Sequence, residues 1–340
     1  MNELTLARSG GTADAKNVNY WQTIKERFLH ARPPSRISVE SLTQYEELVK
    51  KQLRATGTAI VLGSTPELRI MLSKYFTRII VVDFSGEMVK MTSELLSSDI
   101  LAKEHYVISD WLTMSGKVGE GVADIVIGDS VFKQIKTAQW QEFARNVSHM
   151  LHQNGCFITR VRSQNAKWRQ YTVEDIAEQY VTDMRAGKYD ARGAFVFRMY
   201  DKLAGRDGMI VAGPKFPTTT LGSTIGSKDQ QSLLNLWSGY HHSTVQFSHA
   251  SKQRLVHSTE SYFYISEEKR ATDYSDADFF PIIAFKKILV QRVSYSNPRF
   301  SLISDSVCRS ILRGEGIFKS KYLTKKQWYR RGGDIFRQCF

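Results

Sequence analysis

The sequence predicts an α/β fold: a doubly wound, mostly parallel sheet. Three observations carry that reading. Short apolar runs rich in β-branched residues alternate with segments of helical periodicity from Thr58 to Arg162. The first run, Thr58–Leu62, is continuously apolar after its threonine, as a parallel strand buried on both faces is. It runs straight into Gly63-Ser64-Thr65-Pro66, a tight turn in which Thr65 is placed as N-cap and Pro66 at the first helical position.

Taken in order, residues 1–16 are polar and glycine-rich and read as a flexible arm. Residues 17–30 read as an amphipathic helix, with Tyr20, Ile24 and Phe28 on one face and Pro33-Pro34 as its stop. A second helix, 38–53, carries a buried stripe through Tyr45, Leu48 and Val49 and ends before Gly57. Residues 17–57 are thus expected to form an N-terminal helical lid. The core, 58–162, follows as strand 58–62, a helix to Phe76, strand 78–83, helix 85–97, strand 104–109, strand 122–128 ending at Asp129, helix 139–152 and strand 156–162. After Ser163 the regularity breaks. Helices are expected at 171–188, 194–203 and 229–236, with a loop over 213–227 rich in Gly, Pro, Ser and Thr. Residues 163–278 are read as a helical and irregular cap inserted after the fifth strand. Two β-rich runs, 261–266 and 280–291, suit the edge of the sheet. The last segment, 279–340, adds a helix at 300–312 and a basic, aromatic tail over 319–337.

Composition bounds the function. Hydrophobic residues make up 42% and charged residues 24%, enough for a sizeable core. No apolar run reaches bilayer length, and the N-terminus lacks the apolar stretch of a signal peptide. Cys156, Cys308 and Cys339 lie far apart, without CxxC spacing, which suits reduced thiols in the cytoplasm and no metal site. The net charge of +13 suits solubility, an anionic small molecule or nucleic acid.

The first βαβ unit narrows the ligand. A dinucleotide needs several glycines where the pyrophosphate approaches the backbone, and here Gly63 stands alone before the helix. There is no Gly-Lys-Ser/Thr of a P-loop. Asp83, 20 residues after Gly63 at a strand end, is placed to accept two hydrogen bonds from a ribose diol and would repel a 2′-phosphate. At this point 58–161 resembles the class I S-adenosylmethionine-dependent methyltransferases, and the GSTPELR turn is similar to that of a bacterial subset. VLGSTPE falls at the family's glycine-rich motif, VVDFSGEMV at its second strand, YVISDWL at its third, VADIVIGDSVF at its fourth and HMLHQNGCFITRV at its fifth. The resemblance implies a Rossmann-like fold and S-adenosyl-L-methionine as cofactor. It implies cofactor contacts from Gly63, Ser64, Thr65 and Glu67, a ribose ligand at Asp83, and adenine neighbours at Phe84, Met88, Asp110 and Trp111. Gly128 and Asp129 complete the set, and Tyr20 and Trp21 fold over it. The chain departs from the family pattern where Val61 replaces its acid and Thr65 and Glu67 replace its second and third glycines.

Methyl transfer is largely positioning, with a base where the nucleophile must lose a proton. Asp129 is the first candidate base, with His241 and His242 as further candidates from the cap. Arg160 and Arg162 alternate with Val161 and suit an anionic substrate group. The expected activity is methylation of a small molecule on O or N, enclosed by the cap. RNA methylation is the alternative that the basic tail supports; the tail's Tyr322, Trp328, Tyr329 and Phe336 equally suit docking on the domain or on a second subunit as a homodimer. The third reading is a protein that binds S-adenosylmethionine without passing on its methyl group: a cyclase, an aminocarboxypropyl-transfer enzyme or a binding module.

Overall fold

Strands that are apolar on both faces need a helical layer on each side, and the chain supplies both. The computed structural model describes residues 31–53, 57–204, 209–211, 231, 233, 246–248 and 251–288. Its main sheet has seven strands: β1 (Thr58–Leu62), β2 (Arg78–Asp83), β3 (Glu104–Ile108), β4 (Ala123–Asp129), β5 (Leu151–Arg160), β8 (Phe263–Lys269) and β9 (Ile282–Lys287). Their order is β3-β2-β1-β4-β5-β9-β8. The first five strands run parallel, β9 is antiparallel to β5, and β8 is antiparallel to β9. A separate antiparallel pair joins β6 (Met209–Val211) to β7 (Gln246–Ser248).

Described helices of eight or more residues are α1 (Val39–Lys50), α2 (Pro66–Ser73), α3 (Gly86–Ser93), α4 (Trp140–Met150), α5 (Val173–Arg185), α6 (Ala191–Leu203) and α7 (Lys252–Thr259). Strand side chains alternate between faces, so β1 serves two cores. Ile60 and Leu62 pack in one with Trp140, Phe143 and Val147 of α4. Ala59 and Val61 pack in the other with Tyr45 and Leu48 of α1 and Leu68 and Met71 of α2. A third cluster joins Tyr180 of α5, Phe195 and Met199 of α6, Trp168 and Phe280. α6 is buried nearly all round, which is the pattern of a helix enclosed between layers.

The structure moves two element boundaries and refines two further expectations. α1, within the segment 17–57 expected as a lid, buries Ser41, Tyr45, Leu48 and Val49 and is a layer of the core. β5 starts at Leu151 rather than Cys156, because a register shift against β4 absorbs the Asn154-Gly155 turn. α6 starts at Ala191 rather than Ala194. β8 lies at the edge of the main sheet, where the run 261–266 was expected, although it falls within the segment 163–278. The helices expected at 17–30 and 300–312, the loop at 213–227 and the tail at 319–337 lie outside the described residues.

Candidate functional site

In a parallel sheet the crevice opens at the carboxyl ends of the strands, and Gly63, Asp83 and Asp129 stand at the ends of β1, β2 and β4. Gly63 leaves β1 with φ +82, a left-handed conformation that favours glycine. A Cβ there would meet nothing nearer than Trp111 Cζ2 at 3.6 Å, so conformation, not space, selects the residue. The Val82 carbonyl accepts two donors, Gly63 N–H at 2.8 Å and Trp111 Nε1–H at 3.0 Å. One oxygen on β2 therefore ties the first turn to the indole that follows β3.

Asp83 ends β2 and is 7% exposed. Its Oδ2 accepts Ser64 N–H at 3.0 Å and its Oδ1 accepts Ser85 N–H at 2.9 Å. Burial pushes its carboxyl up to about 6, against the pull of those donors. Each carboxylate oxygen has a second lone pair, so the two backbone bonds orient the group without exhausting it. Phe84 is half-buried and Met88 buried on the next turn. Asp110 Oδ1 accepts Leu112 N–H at 2.9 Å, which shapes the turn that carries Trp111. Thr65 sits at the N-cap of α2 without a side-chain capping bond. Glu67 pairs with the Arg36 guanidinium through Oε1, and its Oε2 is buried with no hydrogen-bond partner among the described residues.

The expected catalytic and substrate groups are placed otherwise. Asp129 is gripped side-on by Arg160, with Nε at 2.8 Å from Oδ1 and Nη2 at 2.7 Å from Oδ2. Tyr45 Oη lies 3.3 Å from the same Oδ1 and 3.1 Å from the Gly128 carbonyl, and accepts Arg160 N–H at 2.6 Å. Burial holds the Tyr45 phenol well above its usual range. Both Asp129 oxygens accept from the Arg160 guanidinium, so Asp129, expected as a base or cofactor contact, stands in an ion pair at the end of β4. Arg160 and Arg162 stand in ion pairs as well, and the buried Nε of Arg162 has no hydrogen-bond partner among the described residues. Arg160 is fully buried and also donates to the Pro34 carbonyl at 2.9 Å. Arg162 pairs with Asp201 of α6, whose carboxyl burial pushes up to about 6 against the pull of Arg162. These guanidiniums join the sheet to α6 and the chain before α1. Gly128 is packed shut, since a Cβ would lie 2.4 Å from Val131 Cγ1 and 3.0 Å from the Leu62 carbonyl oxygen.

Tyr20, Trp21, His241 and His242 lie outside the described residues. Sequence reasoning placed Tyr45 only as core and passed over Lys133. Lys133 follows Asp129 by four residues, and its Nζ sits 4.5 Å from the Phe197 ring centroid and 5.9 Å from that of Tyr200. The readable signal was a lysine directly after the apolar pair Val131-Phe132 at a strand end. Among the described residues no group of three or more His, Cys, Asp or Glu is placed to hold a metal ion, and no helix is long and apolar enough to cross a membrane.

No family model matches the chain, and no curated protein matches it. Solved structures do resemble it. One, bearing the name of a zinc-dependent alcohol dehydrogenase from Rhodobacter sphaeroides, is 13% identical over 80% of this chain and 99% of its own, with a TM-score of 0.53. At that identity the likeness speaks to fold alone. The 1,6-didemethyltoxoflavin-N1-methyltransferase of Burkholderia thailandensis, solved with S-adenosylhomocysteine, is 8% identical over 83% of this chain and 93% of its own, with a TM-score of 0.47. The N-methyltransferase NodS of Bradyrhizobium japonicum, also with S-adenosylhomocysteine, is 11% identical over 80% and 100%, with a TM-score of 0.43. The seven-stranded, mostly parallel sheet with helices on both faces is a Rossmann-like α/β fold.

Proposed function

We propose that the chain is an S-adenosylmethionine-dependent methyltransferase acting on a small molecule at O or N. The observation that carries the reading is Asp83, a buried carboxylate oriented by the N–H groups of Ser64 and Ser85 beside a one-glycine turn. That set suits a ribose diol and does not suit a phosphate, which a buried anion repels. The other residues present fit the same cofactor. Trp111, Phe84 and Met88 offer apolar surface near Asp83 for an adenine. The orphaned Oε2 of Glu67, one residue into α2, suits an ammonium group. When bound, the cofactor supplies an electrophilic methyl group. The residues of this chain bind, orient and exclude water, which is most of what an in-line displacement requires. The cap of α5 and α6 supports a small substrate, because enclosure serves to exclude water.

The net charge of +13 supports RNA as a second reading of the substrate. Titration calorimetry with S-adenosylhomocysteine and S-adenosylmethionine tests the cofactor. Saturable binding of both is expected, and loss of binding in Asp83→Ala. No heat with either ligand refutes the reading. Product analysis then separates the chemistries: S-adenosylhomocysteine marks methyl transfer, and methylthioadenosine marks consumption of the methionine part.

A further inference from the structure

The Gly63 turn is held from its neighbours. Thr65, at the N-cap of α2, makes no side-chain capping bond, so that common anchor is missing. Two anchors come from β2: the Val82 carbonyl accepts Gly63 N–H at 2.8 Å, and Asp83 Oδ2 accepts Ser64 N–H at 3.0 Å. Trp111 joins them from beyond β3. Its Nε1–H donates to the Val82 carbonyl at 3.0 Å and takes up the second lone pair of that oxygen. Its benzo edge faces the glycine, with Cζ2 3.6 Å and Cη2 4.0 Å from where a Cβ on Gly63 would stand. The half-buried indole is itself fixed. Its ring centroid lies 6.4 Å from that of Phe143 on α4. Asp110 Oδ1 accepts Leu112 N–H, and the Leu112 carbonyl accepts Asn146 Nδ2–H at 2.6 Å. Ser109 N–H donates to the Asp83 carbonyl at 3.0 Å. Residues 109–112 thus brace both Asp83 and the glycine turn. A phenylalanine would offer Phe143 a ring as well, but no N–H for Val82.

We propose that Trp111 is a positioning residue: by holding the Gly63 turn it sets the first turn of α2 to receive the part of the ligand beyond the ribose, the amino-acid tail. This rests on the methyltransferase reading above, in which Asp83 takes the ribose and Glu67 the ammonium. Gly63, at φ +82, is the joint between those two contacts. Loss of the indole N–H frees that joint, and the weakening falls on ligands that reach across it. A nucleoside without the tail is indifferent to it.

The test uses the full chain and two probes, S-adenosylhomocysteine and methylthioadenosine, which share the nucleoside and differ in the amino-acid tail. Trp111→Phe keeps an aromatic ring and loses the N–H. Trp111→His keeps a five-membered ring with an N–H two bonds from Cγ, as in the indole. Calorimetry is expected to show S-adenosylhomocysteine bound about tenfold more weakly by Trp111→Phe, the effect of one hydrogen bond, with methylthioadenosine within about twofold of the wild type. Trp111→His is expected to regain most of the lost affinity. Packing alone predicts the reverse order, because the smaller, more polar histidine packs worse than phenylalanine. Equal losses for the two probes make Trp111 a base contact, and a histidine variant weaker than the phenylalanine variant makes it packing; either overturns the proposal. If Trp111→Phe does not fold, Trp111→His against the wild type decides: the ratio of the two affinities stays for a positioning N–H, and its loss overturns the role. Failure of both probes to bind the wild-type chain would instead remove the cofactor reading itself, so the two failures are told apart.

Discussion

Replacing Asp83 by asparagine separates stability from binding at a single atom. The native carboxyl titrates at about 6 because burial penalises its charge, whereas an unfolded aspartate titrates near 3.9. Between these values the native state holds more protons than the unfolded state, so native stability falls as pH rises through the window. Above it the full penalty applies: about 2 units at ~1.4 kcal/mol each, or roughly 3 kcal/mol. The amide of the Asp83→Asn variant has no such titration. It keeps one carbonyl acceptor for Ser64 or Ser85, but its NH2 must face the other N–H, a fixed loss of about 1–3 kcal/mol. Urea denaturation of both proteins from pH 4 to pH 8 is therefore expected to show the variant gaining about 2 kcal/mol on the wild type across that range. Binding moves the other way. Hydrogen bonds to an ionised group contribute about 1.5–3 kcal/mol each, so S-adenosylhomocysteine affinity falls by roughly 30-fold or more in Asp83→Asn. In the wild type that affinity rises with pH through about 6 as the carboxylate forms. Parallel stability curves, or a variant that binds like the wild type, would refute the reasoning.

Asp129→Ala leaves the fully buried Arg160 guanidinium without its carboxylate and is expected to destabilise by about 3–5 kcal/mol in urea melts; unchanged stability with lost turnover would return Asp129 to the role of base. Gly128→Ala drives a methyl into Val131 and is expected to lose about 1–3 kcal/mol by overpacking, whereas Gly63→Ala meets only ordinary van der Waals contact with Trp111 and loses about 1–2 kcal/mol through its backbone conformation. Crystal structures of the two variants distinguish these causes: Val131 shifts in the first, and the turn at residue 63 in the second. Cys156 is buried and its thiol is pushed up to about 12, so its peptide is expected to stay unlabelled by iodoacetamide at pH 8 until denaturant is added.

The strands β1 and β2 were legible to the residue, because a strand covered on both faces reads as an uninterrupted apolar run bounded by turn residues. The start of β5 was not, since a bulge hides a strand inside what reads as a helix end and a turn. The nearness of Gly63 to Asp83 was legible for a similar reason: they stand at the ends of consecutive strands whose pairing follows from the βαβ rule. The Asp129–Arg160 pair was not, although the two face each other in register at the ends of β4 and β5. Each residue alone looks like a free charge at a functional strand end, and only the adjacency of the strands shows that they cancel. Lys133 escaped for a further reason. Its surroundings come from α6, more than sixty residues later, and no spacing in the sequence ties a lysine to two rings so far away.

The position of β9 has a consequence for how the chain is made. It is the last described strand in sequence, yet it lies inside the sheet, with Cys156 opposite Lys286 and Arg160 opposite Ile282. During synthesis the five parallel strands emerge first, and β5 waits as an open edge while the whole cap is translated. Closing so long a loop is entropically slow, and an unpaired strand edge invites pairing with other chains. The nascent protein is therefore most exposed to aggregation between completion of β5 and arrival of β9. A stop or a pause in that interval would leave a fragment that contains the Gly63 turn yet lacks its closing strand.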